Sequence, residues 1–458
     1  MTSSTAPAPY HVTSGSCRAA APDIAERLLE LARKRVDQAE VYLSESEELS
    51  AQFNAGRVRT VGASRRLAVA MRVIKDGRLG FYATSDLTDL RDVVDRVVAA
   101  ATEGQEANFD FSAKVGGPGV KTWDGATAAL EAADLVAMGS EWLAKVSAAE
   151  PEAVVNGLVQ KALVRTHILT SNGQDAVRED TGLAVEVEAL RTRQNDVANL
   201  WKVYHGVRRD VDLDAKIDRL CRDFRLSREI TTVRPGKMPV ILSPEQADMF
   251  LTRLAEGVSG RNVRAKVSPL VEKVGQLIVD ASVNVVEDPT LDLEPGSGSF
   301  DDEGVPTART PILKNGVLQG FMYDLATAAD LGVRPTGHGR RHTPFSPPNV
   351  GPANMVLEPG HQSLDELMAD IEEGLYVEEV IGGTGNLLDG AFSHPIAMAF
   401  KIEGGRLAGR VKDVSIAGNI YELMRDHLGG LENRAYSNGG WFRAPHIRLN
   451  DVSVAGKP

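Results

Sequence analysis

Residues 299–324 have the sequence SFDDEGVPTARTPILKNGVLQGFMYD and carry the clearest fold signal in the chain. The Asn315-Gly316 pair supplies the two positive-φ positions that a two-residue hairpin turn requires. The residues on both sides of this pair are largely apolar, which is typical of paired strands. The sequence therefore predicts a β-hairpin centred on Asn315-Gly316.

The chain around this hairpin shows further strand and turn signals. A glycine pair, Gly404-Gly405, predicts another hairpin between two strands. Upstream, Pro235-Gly236 interrupts the chain before an apolar run that is typical of a buried strand. These signals predict a mainly β C-terminal domain at residues 236–458.

The first half of the chain mixes helix and strand patterns. Apolar residues recur at helical spacing in DIAERLLELARKRV, and strand alternation follows up to a hairpin at Asp76-Gly77. We predict an N-terminal α+β domain with an antiparallel sheet at residues 21–235, after a flexible leader at residues 1–20. The fold class predicted for the whole chain is α+β. Further helices are predicted at Leu87–Thr102, Ala126–Ala149 and 210–227.

Length and composition limit the class of protein. With 458 residues, the chain exceeds the size at which a single core stops growing, which favours two domains. The formal net charge of −12 argues against a nucleic-acid partner. The apolar stretch Leu67–Ile74 is interrupted by Arg72 and is too short to span a membrane, so no membrane partner is predicted. Cys17 and Cys221 provide no disulfide framework, which predicts a cytoplasmic location.

Five stretches of the chain, taken in order, are similar to a known family. Besides residues 299–324, they are AEVYLSESEELSAQFNAGRV at 39–58, PTGHGRRH at 335–342, GLYVEEVIGGTGNLLDGAFSH at 374–394 and DVSIAGNIYELM at 413–424. Their sequence and order resemble the TldD/PmbA family of peptidase-complex proteins. The resemblance implies an α+β N-terminal domain, a β-rich C-terminal domain, and a dimer that encloses a cavity where peptides or small substrates are processed.

The resemblance also implies where a metal site would fall. In the catalytic members, a helix after a Pro-Val-Ile-Leu strand carries His-Glu-x-x-x-His, which gives zinc two imidazoles and supplies a glutamate base. Aligned from the matching run Met238–Leu242, the three motif positions fall on Thr252, Arg253 and Gly257. None of these residues offers zinc a neutral nitrogen donor.

A late cysteine completes the metal site of those members and would lie near Ser437 and Asn438 in this chain. No cysteine follows Cys221. Both differences imply that the chain binds no metal and is most like the family's metal-free subunit, called TldE or PmbA. The resemblance then implies a heterodimer in which a zinc-bearing TldD-like subunit holds the metal; a homodimer is the alternative.

Three functions stay open at this point. The first is the metal-free subunit of a TldD/TldE-type heterodimeric metallopeptidase, which lines the chamber and contacts peptide or small amide substrates. The second is a metal-independent hydrolase or tailoring enzyme that acts on a small, amide-bearing compound like a natural product. The third is a non-catalytic binding or scaffold protein.

Catalysis by the chain itself would need side chains that transfer a proton. The candidates are His338, His342, Asp302, Glu303 and His394. Neighbouring carboxylates can share a proton, which brings the pKa of one of them towards neutrality. The alternative for the acidic pair is a solvated turn at the start of a strand.

The loop GHGRRHTPFS offers a candidate substrate-binding group. Arg340, Arg341 and His338 are suited to a peptide carboxylate or to a carbonyl oxygen that develops negative charge. The alternative is that both arginines pair with carboxylates across an interface or face solvent. Glycines and prolines around His338 and His342 disfavour the helix on which two histidines four apart would bind zinc.

Overall fold

The structure is a computed structural model that describes residues 21–193, 196–209, 211–382, 385–437 and 439–456. The predicted leader at residues 1–20 and Asn438 therefore lie outside the described residues. No helix in these ranges is both long enough and apolar enough to cross a membrane.

The first half of the chain builds one large sheet and the helices that cover it. Its six strands pair in the order β3-β2-β1-β4-β5-β6, and every neighbouring pair is antiparallel. Its elements are α1 (Ala21–Arg33), β1 (Gln38–Asn54), β2 (Arg57–Lys75), β3 (Arg78–Thr84), α2 (Leu90–Thr102), α3 (Gly125–Ala129), α4 (Ala132–Ala149), β4 (Val154–Thr170), β5 (Asp175–Arg193), β6 (Asp196–Gly206) and α5 (Val211–Leu226).

The second half is dominated by strands. Its elements are β7 (Ile230–Thr231), β8 (Gly236–Leu242), α6 (Asp248–Gly257), α7 (Gly260–Arg264), β9 (Val285–Glu287), β10 (Thr310–Lys314), β11 (Val317–Leu318), α8 (Leu325–Leu331), β12 (Gly339–Arg340), β13 (Asn349–Val350), β14 (Met355–Leu357), α9 (Leu364–Met368), β15 (Glu373–Val380), β16 (Ala391–Glu403), β17 (Arg406–Val411), β18 (Val414–Asn419), α10 (Ile420–Asp426), β19 (Leu428–Leu431), β20 (Tyr436–Ser437), β21 (Phe442–Ala444) and β22 (Ile447–Gly456), and a 3-10 turn (Pro244–Ala247) precedes α6.

Two sheets organise the second half. The larger follows the order β15-β8-β22-β18-β16-β17-β7, with β19 beside β22, and β15 also pairs with β16, which closes the sheet on itself. The smaller follows the order β11-β10-β9-β14-β21-β20. Helix α6 begins directly after the central strand β8 and the 3-10 turn, so the sheet fixes where this helix starts.

The α+β prediction is confirmed, and the hairpin turns follow the predicted chemistry. Asp76 and Gly77 adopt φ values of 51° and 72°, and Asn315 and Gly316 adopt 49° and 72°. These left-handed values are the ones that a tight hairpin requires. A dimer-interface cavity stays a prediction, because the structure contains one chain.

One helix prediction was wrong in its extent. The segment predicted as a single helix at Ala126–Ala149 forms two helices, α3 and α4. Leu130 adopts an extended conformation, and the Glu131 side chain caps the first turn of α4 while Asp134 bonds back to the Glu131 amide. Local capping by two acidic residues therefore outweighs the helical periodicity.

A shared core joins the two halves of the chain. Phe53 and Val159 of the first sheet and Trp142 of α4 belong to the same buried cluster as Ile241 of β8 and Phe400 of β16. Each of these five side chains is at most 4% exposed. The large sheet therefore packs against the second half through apolar contacts, and polar groups at the junction are enclosed.

Candidate functional site

The three positions aligned with the family's metal motif lie on α6. Thr252 is half-buried, and its hydroxyl donates to Asp248 Oδ1 at 2.6 Å, one turn earlier. Arg253 is buried, and its guanidinium donates to the carbonyl oxygens of Met249 at 2.9 Å and Ala391 at 3.1 Å. Both side chains are thus used in bonds within α6 and to the start of β16.

The third position, Gly257, is closed by its neighbours. A Cβ atom added to Gly257 would lie 2.7 Å from Leu270 Cδ1 and 3.2 Å from the Tyr421 hydroxyl oxygen. The Tyr421 hydroxyl is itself fixed, because it donates to the Arg253 carbonyl oxygen at 2.9 Å. A histidine at this position would therefore need the surroundings to move.

The residues at these positions do not fit a zinc ion. A guanidinium has only donors, a glycine has no side chain, and the Thr252 hydroxyl faces a carboxylate. Zinc is bound by thiolate, imidazole or carboxylate groups. Within the described ranges, no group of three or more histidine, cysteine, aspartate or glutamate side chains is arranged to hold a metal ion. Asn438, near the position of the missing cysteine, lies outside those ranges.

A second polar region forms around the turn at Asp301–Gly304. Asp301 Oδ1 accepts from the backbone amides of Glu303 and Val305, each at 2.9 Å, and its Oδ2 accepts from the Gly339 amide at 2.8 Å. Burial and the neighbouring Glu303 carboxylate raise the pKa of Asp301. The carboxylate thus fixes the shape of the turn and joins it to β12.

Glu303 belongs to a buried chain of ion pairs that crosses from the C-terminal half to the first sheet. Arg72 NH1 of β2 lies 2.7 Å from Glu303 Oε1, and Arg72 Nε lies 2.9 Å from Glu40 Oε1 of β1. Arg341 NH2 lies 2.7 Å from the same Glu40 oxygen, and its guanidinium stacks 4.5 Å above the Tyr42 ring centre. The charged side chains of this chain are at most 4% exposed.

Glycine makes one of these contacts possible. A Cβ atom added to Gly339 would lie 2.5 Å from Glu303 Oε2. The same oxygen accepts from the Leu325 amide at 2.8 Å, at the start of α8. The glycine of the GHGRR sequence therefore lets β12 pass directly over the Glu303 carboxylate.

Asp302 faces the same junction from the other side of the turn. Its Oδ2 accepts from the Arg341 amide at 2.8 Å, and its Oδ1 lies 3.9 Å from Arg178 NH2 of β5. Arg178 also pairs with Asp180 at 2.9 Å. Each predicted acidic candidate is thus held by an arginine of the first sheet.

His338 and Arg340 lie in the same region, with polar atoms that have no protein partner. His338 is fully buried; its Nδ1 lies 2.8 Å from the Thr336 hydroxyl. Burial, with help from the Arg340 charge, lowers the pKa of His338 to about 3, so its imidazole is neutral. Among the described residues, His338 Nε2, Arg340 Nε and NH2, and Glu287 Oε2 are buried without a hydrogen-bond partner. Burial raises the pKa of Glu287 to about 7.

The other two histidine candidates lie apart from this region. His342 follows Arg341 but is exposed. His394 lies on β16, where its Nδ1 is 2.5 Å from the Gly382 carbonyl oxygen and its ring stacks on Phe392. The structure thus brings together Asp302, Glu303, His338, Arg340 and Arg341. Their catalytic or substrate-binding roles stay predictions.

The sequence reasoning missed the residues of the first sheet that complete the cluster. These are Glu40, Tyr42, Arg72 and Arg178. One signal was available, because Arg72 interrupts the apolar stretch Leu67–Ile74, and a charge in a buried strand requires a partner. The sequence does not indicate which carboxylate that partner is.

A separate cleft lies over the first sheet. Its volume is about 560 Å³, and its lining includes Trp201 of β6, Glu186 and Glu188 of β5, Gln52 of β1 and Glu379 of β15. Trp201 is 50% exposed. The cleft combines acidic and amide groups with one accessible aromatic ring, so it offers both polar and apolar contacts.

Comparisons with known proteins agree with the fold. A family model described as PmbA/TldA metallopeptidase C-terminal domain matches residues 235–456, and one described as PmbA/TldA metallopeptidase domain 1 matches residues 39–101. A Methanothermobacter thermautotrophicus protein named as a metalloprotease is 26% identical over 449 residues, which cover 92% of this chain and 96% of that protein.

Two further proteins are similar in part or in fold. A Saccharolobus solfataricus protein named as a zinc metalloprotease TldD homolog is 29% identical over 238 residues, which cover 49% of this chain and 53% of that protein. The crystal structure of TldE from Thermococcus kodakarensis matches with a TM-score of 0.86 at 23% identity, and covers 94% of this chain and all of that chain. The structural match confirms the α+β fold.

Proposed function

Because the chain belongs to the TldD/PmbA family of metallopeptidases, we propose that it is the metal-free subunit of a TldD/TldE-type heterodimer. In this proposal, a zinc-bearing relative supplies the metal, and this chain lines the chamber and contacts peptide or small amide substrates. The observation that carries the proposal is the set of side chains at the three motif positions of α6. They are a threonine, an arginine and a glycine.

The environment of α6 supports this proposal further. Arg253 donates to two backbone carbonyl oxygens, and space beside Gly257 is taken up by Leu270 and Tyr421. A change of rotamer at these positions therefore supplies no metal ligand. Under this proposal, the ligands of the zinc-bearing subunit hold the metal that activates water for hydrolysis.

The cleft over the first sheet is the surface that we assign to substrate contact. Its amide and carboxylate groups can hydrogen-bond to a peptide backbone, and the exposed face of Trp201 can pack against an apolar side chain.

We also propose that the boundary between the two domains lies near residue 235, where the match to the C-terminal family domain begins. The cytoplasmic location stays a prediction.

The decisive experiment measures zinc content and native mass. The chain is purified alone and after co-expression with a relative that carries His-Glu-x-x-x-His, and peptide hydrolysis is assayed in both preparations. We expect zinc and hydrolysis only in a mixed dimer. Stoichiometric zinc in the chain alone would overturn the proposal, and chelator-resistant turnover by the chain alone would support the metal-independent hydrolase instead.

A matched pair of variants tests the cleft. Trp201→Ala removes a ring that is 50% exposed in the cleft, and Trp123→Ala removes one that is 39% exposed outside it. We expect Trp201→Ala to raise KM of the mixed dimer without changing its zinc content or mass, and Trp123→Ala to leave KM unchanged. Equal effects of the two substitutions on KM would contradict the assignment of substrate contact to this cleft.

A further inference from the structure

The cleft over the first sheet is acidic at one end. The charged side chains of its described lining are three carboxylates, those of Glu186, Glu188 and Glu379, and one guanidinium, that of Arg59. Arg59 lies on β2, and Glu186 and Glu188 lie on β5, three strands away in the sheet order. Because neighbouring strands are about 4.8 Å apart, these backbones are separated by about 14 Å. The guanidinium therefore belongs to the opposite end of the cleft.

The three carboxylates are accessible and are not used in ion pairs. Among the described residues, none of Glu186, Glu188 and Glu379 has an ion-pair partner, and all three side chains are partly exposed. Both oxygens of Glu188 accept hydrogen bonds from side-chain amides, those of Asn156 and Asn199, each at 3.2 Å. These neutral donors orient the carboxylate and carry no charge that would balance it. This end of the cleft is thus negatively charged and open to a ligand.

The ring of Trp201 lies among these carboxylates. In the pairing of β5 with β6, Trp201 is directly opposite Glu188, and side chains in such positions have Cβ atoms about 4.5–5.5 Å apart. Lys202 and Glu378, the sequence neighbours of Trp201 and Glu379, form a buried ion pair that holds β6 beside the end of β15. The Trp201 side chain is 50% exposed. A ligand on the exposed ring would therefore lie next to carboxylates from two strands.

The surroundings of Glu379 favour a cation in the cleft. Burial raises the pKa of Glu379, the Lys202 charge lowers it, and the Glu378 charge raises it again. Since Lys202 is already paired with Glu378, a cation bound in the cleft would be the group that stabilises the ionised form of Glu379. An anionic ligand would be repelled by all three carboxylates.

We propose that the cleft selects substrates that carry a primary ammonium group. This selectivity rests on the proposed function, in which the cleft contacts the substrate, and it names the substrate class. The ammonium packs on the face of Trp201 and pairs with Glu188 and Glu379, while the amide groups of the cleft bond to the peptide backbone. A lysine side chain and the free amino terminus of a peptide both carry this group at neutral pH.

The test is calorimetric titration of the full chain, purified alone, with four tripeptides at neutral pH and low ionic strength. They are acetyl-Ala-Lys-Ala-amide with a side-chain ammonium, Ala-Leu-Ala-amide with a free amino terminus, the neutral acetyl-Ala-Leu-Ala-amide and the anionic acetyl-Ala-Glu-Ala-amide. We expect at least one cationic peptide to bind about tenfold more tightly than the neutral one, and the anionic peptide to bind most weakly. Preference for the lysine peptide alone identifies a side-chain site, preference for the free amino terminus alone identifies a terminus site, and preference for both identifies a site for either ammonium.

Two isosteric substitutions locate the binding, and a third controls for the loss of charge. Glu188→Gln and Glu379→Gln each remove one carboxylate of the cleft, whereas Glu272→Gln removes an exposed carboxylate outside it. We expect each of the first two to reduce the preference for the cationic peptide about threefold while circular dichroism is unchanged. Glu272→Gln should keep the wild-type preference.

Three results would overturn the proposed selectivity. They are no binding of either cationic peptide, binding of the neutral or the anionic peptide as tight as that of the cationic ones, and an equal preference in all three variants. The titration uses neither zinc nor a partner subunit. If the mixed dimer hydrolyses peptides while the chain alone shows no preference for ammonium groups, the proposed function stands and the selectivity fails. If the chain prefers cationic peptides but forms no mixed dimer, the selectivity stands and the heterodimer fails.

Discussion

Helix α6 and the cluster around Asp301–Gly304 both contain residues that the sequence marks as candidates, but the partners of their side chains lie at different distances along the chain. On α6, Thr252 bonds within its own helix, and Arg253 bonds to Met249 of the same helix and to Ala391 at the start of β16. In the cluster, Glu303 pairs with an arginine of the first sheet, 231 residues away in the chain. The charged residues of the cluster therefore join the two halves of the protein, whereas Thr252 and Arg253 bond within α6 and to elements of the same half.

The largest expected effect comes from breaking the cluster at its centre. Arg72→Met leaves Glu40 and Glu303 buried without their shared cation. Removing one partner of a buried ion pair is expected to lower the free energy of unfolding by about 3–5 kcal/mol. Urea unfolding at neutral pH measures the loss.

The control for this substitution is an ion pair on the surface. Arg96 and Asp92 lie 2.7 Å apart on α2, and their side chains are 56% and 53% exposed. Arg96→Met should lower the free energy of unfolding far less than Arg72→Met does, because solvent screens the exposed pair. Similar losses for both variants would mean that the cluster does not join the two halves.

The next largest effect concerns the packing around Gly257 on α6. Gly257→His places a side chain against Leu270 Cδ1, which a Cβ atom already approaches to 2.7 Å. Overpacking of this kind is expected to cost about 1–3 kcal/mol, measured by thermal unfolding. A second substitution, Leu270→Ala, should restore part of the loss in Gly257→His. A stable Gly257→His variant that binds zinc would contradict the view that this helix is closed to metal.

A smaller effect concerns pH. His338 has a folded-state pKa of about 3, and an unfolded histidine titrates near pH 6.5. Below about pH 6.5 the unfolded chain takes up a proton that the folded chain does not, so His338 lowers stability as the pH falls towards 3. The slope approaches about 1.4 kcal/mol per pH unit.

The pH effect is measured as a difference between variants. Between pH 6.5 and 5, the free energy of unfolding of His338→Gln should fall less steeply than that of the wild type, because the unfolded variant takes up one proton fewer. Urea unfolding at each pH measures this slope. His342→Gln changes an exposed histidine four residues later and should keep the wild-type slope. If both variants keep the wild-type slope, then the His338 imidazole also takes up a proton in the folded chain.

The sequence predicted the local features of this fold better than its long-range contacts. The positive-φ turns at Asp76-Gly77 and Asn315-Gly316 depend on adjacent residues, so their prediction was confirmed. The split of the helix at Leu130 was missed, because a capping bond between Glu131 and Asp134 overrides the apolar spacing.

The candidate site shows the same limit. The sequence indicated Asp302 and Glu303 as catalytic candidates and, separately, Arg340 and Arg341 as substrate-binding candidates, because each pair lies in one short stretch. It did not indicate Glu40 or Arg72, because strand pairing between β1 and β2 brings them together and the packing of the two halves places them against Glu303.

The smallest expected effect is that of Thr252→Ala, which tests whether the Thr252 hydroxyl contributes to peptide hydrolysis. This hydroxyl bonds to Asp248 on the same helix, so Thr252→Ala removes one exposed hydrogen bond and gains helix propensity. In the mixed dimer proposed above, we expect kcat/KM for peptide hydrolysis to stay within about twofold of the wild type. Alanine at the aligned histidine of the zinc-bearing relative should abolish hydrolysis, because that residue holds the metal. A tenfold or greater loss in Thr252→Ala, with zinc content and native mass unchanged, would place this hydroxyl against the substrate and make α6 a working part of the chamber wall.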